Sequence, residues 1–298
     1  VTDRIARRLL ADGVFNREQA EAAEKGSAPA RALPFPRDAL HLSQWLLKRS
    51  DEMRLRSAVR RDHQALVENA FQSRRLDYRA QGIHNGCGVV VDVETGAVTA
   101  AVGNFDFWDE DHDGQVVGFL APRSPGSAMK PFIYALALDR GLALPDYLVA
   151  DVPRRYGAYE PINFDREYRG MVKLEDALSQ SLNIPFIDLL KEVGVPEYLR
   201  FLDAGGLSTI NHEPGHYGLS LAVGAMDERP AEMANLYATL ARGGEHRDLR
   251  WTMDEPAGES RRLLSEGSCF LTRRALRRRD RPDFPMKSRA LKVPRNVF

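Results

Sequence analysis

The sequence predicts an α+β domain with helices packed around a small antiparallel sheet, and three stretches carry that expectation. Residues 88–103 (GVVVDVETGAVTAAVG) give two β-branched runs around Glu94-Thr95-Gly96, the pattern of a hairpin. Lys130 to Arg140 (KPFIYALALDR) is rich in Ala and Leu, with Gly141 placed to stop a helix. Its first part, Pro131–Leu138, is apolar on nearly every side, which suits a helix buried through the middle of a domain. Most of the remainder reads as helix, with loops expected at 104–126 and 145–172. A chain of 298 residues has room for one large core or two smaller ones.

The elements follow in order. Residues 1–80 are helical and polar, and they are set apart from 81–298 as a separate region. Asn16-Arg17-Glu18-Gln19 reads as a capping box that opens a short helix ending near Gly26. The breaker-rich stretch Ser27–Pro36 follows as a linker. Cys87 enters the first strand and Cys269 a helix, so two separate buried thiols are expected rather than a disulfide. Basic residues crowd the C-terminal part: Arg261, Arg262, Arg273, Arg274, Arg277, Arg278, Arg279 and Arg281. The spacing 273, 274, 277, 278 is that of the wet face of an amphipathic helix.

Composition excludes little. Lys plus Arg and Asp plus Glu number 42 each, so net charge gives no argument for nucleic acid. No apolar run approaches the roughly 18–20 residues of a membrane span, and the first residues lack a charged-then-apolar leader pattern. Two metal-like strings fail on geometry, and nothing else calls for a metal or cofactor. His212-Glu213-Pro214-Gly215-His216 matches a zinc-protease string, but Pro-Gly breaks the helix that must present both histidines. Asp109–Gly114 mimics half of an EF-hand loop, yet its twelfth position is Leu120 where a bidentate glutamate belongs, so a solvated acidic loop is expected.

The chemistry-bearing stretch is Arg123–Phe132 (RSPGSAMKPF). It sets Ser127 one helical turn before Lys130, at the mouth of the apolar helix. A free serine hydroxyl is a weak nucleophile and needs a base within reach. Residues three apart on a helix share a face, so Ser127 and Lys130 are expected at or near hydrogen-bonding distance. A lysine entering a core loses water, and desolvation lowers its pKa toward the neutral amine that a base requires. Unpaired N–H groups at the helix start favour a developing oxyanion. The plainer alternative is that Ser127 only caps the helix and Lys130 lies at the surface. About fifty residues on comes Ser181-Leu182-Asn183. Leu174, Ala177, Leu178 and Ser181 fall at helical spacing, which puts Ser181 on the inward side of a short helix. Asn183 follows, and Ile184-Pro185 opens the next helix. The plainer reading here is an ordinary helix-ending turn.

Together the two phrases resemble the first two of the three motifs of penicillin-binding transpeptidases, Ser-x-x-Lys, Ser-x-Asn and Lys-Thr-Gly. From Asn85 to Gly244 the chain resembles the transpeptidase domain of bifunctional class A penicillin-binding proteins, and within them the type 1C subgroup. Further matching phrases are Val89-Val90-Val91-Asp92 with Thr95-Gly96, Gly114-Gln115, Asp151-Val152-Pro153, Tyr159–Asp165 (YEPINFD), Tyr217–Leu221 and Pro230–Gly244. The resemblance implies the penicillin-binding, β-lactamase-like fold and acyl transfer on peptidoglycan stem peptides. Ser127 would attack the D-Ala-D-Ala carbonyl with Lys130 as base. Ser181 would relay the proton to the leaving D-alanine, and Asn183 would hold the substrate amide and steady Lys130. β-Lactams would acylate Ser127.

The resemblance also implies the periplasmic side of the bacterial cytoplasmic membrane, contact with the membrane only through an N-terminal anchor not present here, and other cell-wall synthesis proteins as partners. Residues 1–80 resemble the connection between glycosyltransferase and transpeptidase domains. No Lys-Thr-Gly or Lys-Ser-Gly occurs before Phe298, and Lys287-Ser288-Arg289 is a poor substitute because arginine replaces the glycine. The expectation is a domain cut before its third motif and C-terminal strands, with impaired activity. The alternatives are a non-catalytic remnant or scaffold of the same fold and, less well matched to residues 1–80, a serine β-lactamase.

Overall fold

The computed structural model describes residues 2–25, 38–52, 54–256 and 258–277. The chain divides into two compact units between Asp38 and Ala39. The smaller is a pair of packed helices, α1 (Thr2–Ala11) and α2 (Arg17–Lys25). The capping box forms reciprocally. Asn16 N–H donates to Gln19 Oε1 at 2.9 Å, and Gln19 N–H donates to Asn16 Oδ1 at 2.8 Å. The stretch Ser27–Pro36 lies outside the described residues.

The larger unit runs α3 (Leu40–Leu47), α4 (Arg61–Ala80), β1 (Gly88–Val91), β2 (Val98–Val102), α5 (Lys130–Asp139), β3 (Leu148–Asp151), β4 (Gly170–Lys173), α6 (Leu174–Ser179), α7 (Ile184–Val193), α8 (Val195–Ala204), α9 (Pro214–Tyr217), α10 (Pro230–Ala241), β5 (Glu245–His246), β6 (Arg261–Arg262) and α11 (Glu266–Leu276). Three two-stranded antiparallel sheets occur among the described residues. β1 and β2 make the expected hairpin, with Val89 opposite Ala101 and a bulge after Val90. Asp92 closes its turn by accepting from the Thr95 N–H and hydroxyl at 2.8 and 2.6 Å. α3 and α4 pack on β2 and α10 on β1, so β2 is buried along its length.

α5 is the hub. Phe132, Ile133, Tyr134, Ala135 and Ala137 are fully buried, and α6, α7 and α11 surround the helix. An apolar helix wrapped by other helices removes most of its surface from water, which is the dominant favourable term in folding. A second cluster of Leu42, Val98, Ala101 and Phe119 fills the space between α3 and the hairpin.

Several expectations need correction. The β3–β4 hairpin occupies both ends of the segment expected as a 145–172 loop, and its four-residue strands are too short to be told from loop by periodicity. β5 and β6 are two residues each and were equally unreadable. Both cysteines are free, but only Cys269 is buried; Cys87 is half-buried. On α11, Arg274 is exposed, whereas Arg273 is half-buried and donates to the Ala241 carbonyl at 2.9 Å. Arg278, Arg279 and Arg281 lie outside the described residues, as does Lys287-Ser288-Arg289. In the acidic loop, Glu110, Asp111 and Asp113 are solvated, while Asp109 pairs with Arg79 at 2.6 Å. No described helix is long and apolar enough to cross a membrane.

Candidate active site

The segment before α5 is pinned from two sides. Arg123 and Glu228 exchange backbone hydrogen bonds of 2.9 and 2.8 Å, and Ser124 Oγ donates to the Gly224 carbonyl at 2.7 Å. Residues Gly126–Met129 then form one 3-10 turn that runs into α5, with Pro131 in the first α turn, where its missing N–H costs nothing. Two tyrosine hydroxyls hold this turn from below. Tyr237 donates to the Ala128 carbonyl and Tyr198 to the Met129 carbonyl, each at 3.0 Å. Ser127 is left exposed within the turn.

Lys130 points the other way, into the protein, and is 1% exposed. Its ammonium reaches the Ser181 carbonyl at 2.5 Å, Asn183 Oδ1 at 2.7 Å and Ser181 Oγ at 3.2 Å. The Phe186 ring lies beneath it, with Nζ 5.9 Å from the ring centre. Desolvation by this burial brings the Lys130 pKa down from 10.5 to about 7. The Lys130 backbone N–H donates to the Ser127 carbonyl, but among the described residues no hydrogen bond joins the Ser127 hydroxyl to the Lys130 ammonium. A 3-10 turn rises about 2.0 Å per residue against 1.5 Å in an α-helix, so the serine stands farther along the axis than a shared α-helical face provides.

Ser181 is not on the inward side of a helix, as its spacing predicts. α6 stops at Ser179, and Ser181 is an exposed residue in the turn beyond it, with φ +57°. The turn is a Schellman motif: Ser181 N–H donates to the Leu178 carbonyl and Leu182 N–H to the Ala177 carbonyl, each at 3.0 Å. The same closing pattern ends α5, with Gly141 N–H on Leu138 and Leu142 N–H on Ala137, and there the left-handed position is a glycine. A Cβ in this conformation costs roughly 1–2 kcal/mol. At residue 181 the chain carries that strain and gains a hydroxyl aimed at the cleft.

Asn183 sits at the start of α7 and is held by three hydrogen bonds. Its Nδ2 donates to the Ile162 carbonyl at 2.7 Å, its Oδ1 accepts from Lys130, and its backbone N–H donates to Asn163 Oδ1 at 2.8 Å. Asn163 belongs to the loop between β3 and β4. Its Nδ2 donates to both oxygens of the buried Asp151, at 2.9 and 3.0 Å, and to the Glu167 carbonyl at 2.8 Å. The sequence pattern did not single out Asp151 or Asn163 for a role, although both fall within phrases shared with the family. Tyr198 is not singled out by any sequence signal, and Tyr237 falls only within the phrase Pro230–Gly244.

Ser127, Ser181 and Asn183 line one cavity of about 580 Å3, together with Asn163, Phe164, Asp165 and Arg169. Arg169 pairs with Asp165, and Phe164 stands fully exposed at the cavity wall. A larger cavity, about 730 Å3, touches Ser124, Thr209, His212, His216 and Arg229 but none of the four expected site residues. There α9 begins at Pro214, leaving His212 ahead of the helix that carries His216. The smaller cavity is lined by the exposed Ser127 hydroxyl and by Ser181 and Asn183, which bond the buried Lys130 amine behind its wall.

A family profile described as "Penicillin binding protein transpeptidase domain" matches residues 86–283. Penicillin-binding protein 1C of Escherichia coli (strain K12) is 32% identical over 276 residues, covering 92% of this chain and 35% of that protein. Penicillin-binding protein 1F of Bacillus subtilis (strain 168) is 32% identical over 164 residues, 54% of this chain and 22% of that protein. The chain thus spans about a third or less of the length of these relatives. Among solved structures, penicillin-binding protein 1A from Haemophilus influenzae superposes with a TM-score of 0.67 over 92% of this chain and 62% of that one, at 19% identity, which speaks to fold.

Proposed function

The chain belongs to the penicillin-binding protein transpeptidase family, and from that premise we propose that it carries out serine acyl transfer at the Ser127 cavity. The observation that carries this reading is the buried Lys130, which has a pKa near 7 and is bound to Ser181 and Asn183 beside a cavity that also exposes Ser127. In this reading the Ser127 hydroxyl attacks the carbonyl of a D-Ala-D-Ala stem peptide. Its proton passes to the Lys130–Ser181 pair, and the amine of the departing D-alanine collects it. A new ester bond forms at Ser127 Oγ as the peptide C–N bond breaks. A β-lactam follows the same course with ring opening in place of departure.

The electropositive N-terminal end of the 3-10 turn and α5 is suited to stabilising the oxyanion. Lys130 starts bonded to Ser181 rather than Ser127, which fits Ser181 as the relay between the amine and the reacting groups. Apo catalytic contacts are often long and tighten only when substrate is bound. Residues 1–80 serve as the connecting region, with α3 and α4 packed on the hairpin of the transpeptidase domain. The substrate places the site on the outer side of the bacterial cytoplasmic membrane.

The test is labelling of the full gene product with a fluorescent penicillin, followed by intact-protein mass spectrometry. Covalent label is expected on wild type and absent from Ser127→Ala, and Lys130→Ala should acylate at least about 100-fold more slowly. Undiminished labelling of Ser127→Ala would place the nucleophile elsewhere and overturn the reading.

A further inference from the structure

An asparagine amide presents an acceptor on one side and donors on the other, so its rotation decides what it offers a neighbouring lysine. Asn183 must present Oδ1 to Lys130 to bond an ammonium, because the Nδ2 edge would repel it. Two contacts fix that choice. The Ile162 carbonyl takes the Asn183 Nδ2 at 2.7 Å, which leaves Oδ1 facing Lys130. The neighbouring Asn163 takes the Asn183 backbone N–H at 2.8 Å and so fixes where the side chain starts. Both contacts come from adjacent residues of one loop.

Arg154 and Tyr156 anchor the first part of that loop on Asp188, and Asp151 anchors the part that carries Asn163. The Asp151 carboxylate is fully buried at the end of β3 and accepts from Asn163 Nδ2 and, at 2.8 Å, from the Arg169 N–H just before β4. Asn163 is 3% exposed and bonds the Glu167 carbonyl as well, tying the loop across itself. A buried charge is costly unless its bonds are complete, and completing them requires the loop in this one position.

Resting on the acyl-transfer reading above, we infer that Asn163, anchored by Asp151, is a positioning residue that sets the Asn183 amide toward Lys130. It touches neither the nucleophile nor the amine. It acts by fixing the backbone on which Ile162 and Asn183 meet. The groups facing Lys130 Nζ are Ser181, Asn183 and the Phe186 ring, so loss of the Asn183 acceptor removes a contact that favours the ammonium. The Lys130 titration midpoint then moves down.

The test uses the full gene product with 13C-labelled lysine. The Lys130 resonance is assigned with Lys130→Arg and titrated in wild type and Asn163→Ala. The expected result is a midpoint lower by about half a pH unit and penicillin acylation slower by about 10-fold. The exchanged pair Asp151→Asn/Asn163→Asp keeps one carboxylate and one amide in contact and should return the midpoint to within about 0.1 pH unit and the acylation rate to within about 3-fold of wild type, while Asn163→Asp alone sets two carboxylates together and should be worse than Asn163→Ala.

A lowered melting temperature in Asn163→Ala with an unmoved Lys130 midpoint would overturn the inference, leaving Asn163 a structural residue only. Should Asn163→Ala fail to fold, the exchanged pair decides: a midpoint restored toward wild type supports the inference, and one no different from Asn163→Asp overturns it. Wild type that takes no penicillin label would sink the acyl-transfer reading alone, since the lysine titration is read without acylation.

Discussion

Lys130 Nζ lies 2.7 Å from Asn183 Oδ1, and this contact joins the two sequence motifs across 53 residues of chain. It ties the first turn of α5 to the first turn of α7, two helices that pack directly on each other. The rest of the Lys130 surroundings is the Ser181 turn and an aromatic ring, so burial controls its charge.

Burial of Lys130 costs stability, and on the proposed acyl-transfer reading it supplies a neutral amine. The unfolded chain holds the lysine proton up to about pH 10.5 and the folded chain only to about 7. Between those values the unfolded state binds more protons, so stability rises with pH across that window and is lost as pH falls toward 7. Lys130→Met should therefore be more stable at pH 7 by about 1–3 kcal/mol and show a flatter rise between pH 7 and 10. It should also lose at least about 100-fold in acylation. In wild type the acylation rate should climb with pH through a midpoint near 7. Thermal melts and label rates over a pH series measure both. Equal destabilisation of Lys130→Met at every pH would contradict the assignment of burial as the cause.

Ser181→Gly separates fold from chemistry. Glycine occupies the left-handed position without a Cβ penalty, as Gly141 does at the end of α5, and the Lys130 contact to the residue 181 carbonyl is kept. The variant should melt at or above the wild-type temperature, with a gain of up to about 1 kcal/mol after the greater freedom of unfolded glycine is counted. Acylation should fall by about 10–100-fold because the relay hydroxyl is gone. A variant that both melts lower and acylates normally would reverse the roles given to this residue.

Gly224→Ala should displace the nucleophile turn. A Cβ on Gly224 would stand 2.3 Å from the Gly126 nitrogen and 2.4 Å from its Cα, and residue 224 has φ +87°. Both the clash and the backbone conformation oppose the methyl group, for a cost of about 2–4 kcal/mol. The Gly126–Met129 turn must give way, so penicillin labelling should slow more than the drop in folded population accounts for. Urea melts and labelling rates on the same samples provide the comparison. Labelling that merely tracks the folded fraction would detach Gly224 from the site.

The sequence by itself determined the hairpin, the central helix and the capping box, because each rests on local periodicity or on a short ordered phrase, and resemblance to family motifs nominated Ser127, Lys130, Ser181 and Asn183 as a candidate set. Pro131–Leu138 could be read as buried because no polar face interrupts it, and burial of that helix is what strips water from Lys130. Tertiary structure decided the rest. The left-handed turn at Ser181 depends on where α6 stops, and helical spacing alone carried the helix two residues too far. The short β3 and β4 strands exist through pairing with each other, a non-local contact that four residues cannot announce. The link from Asp151 through Asn163 to Asn183 joins residues 12 and 20 apart. Nothing in their own neighbourhoods requires it. It forms because a buried carboxylate and a loop of unpaired backbone groups satisfy each other only in the folded chain.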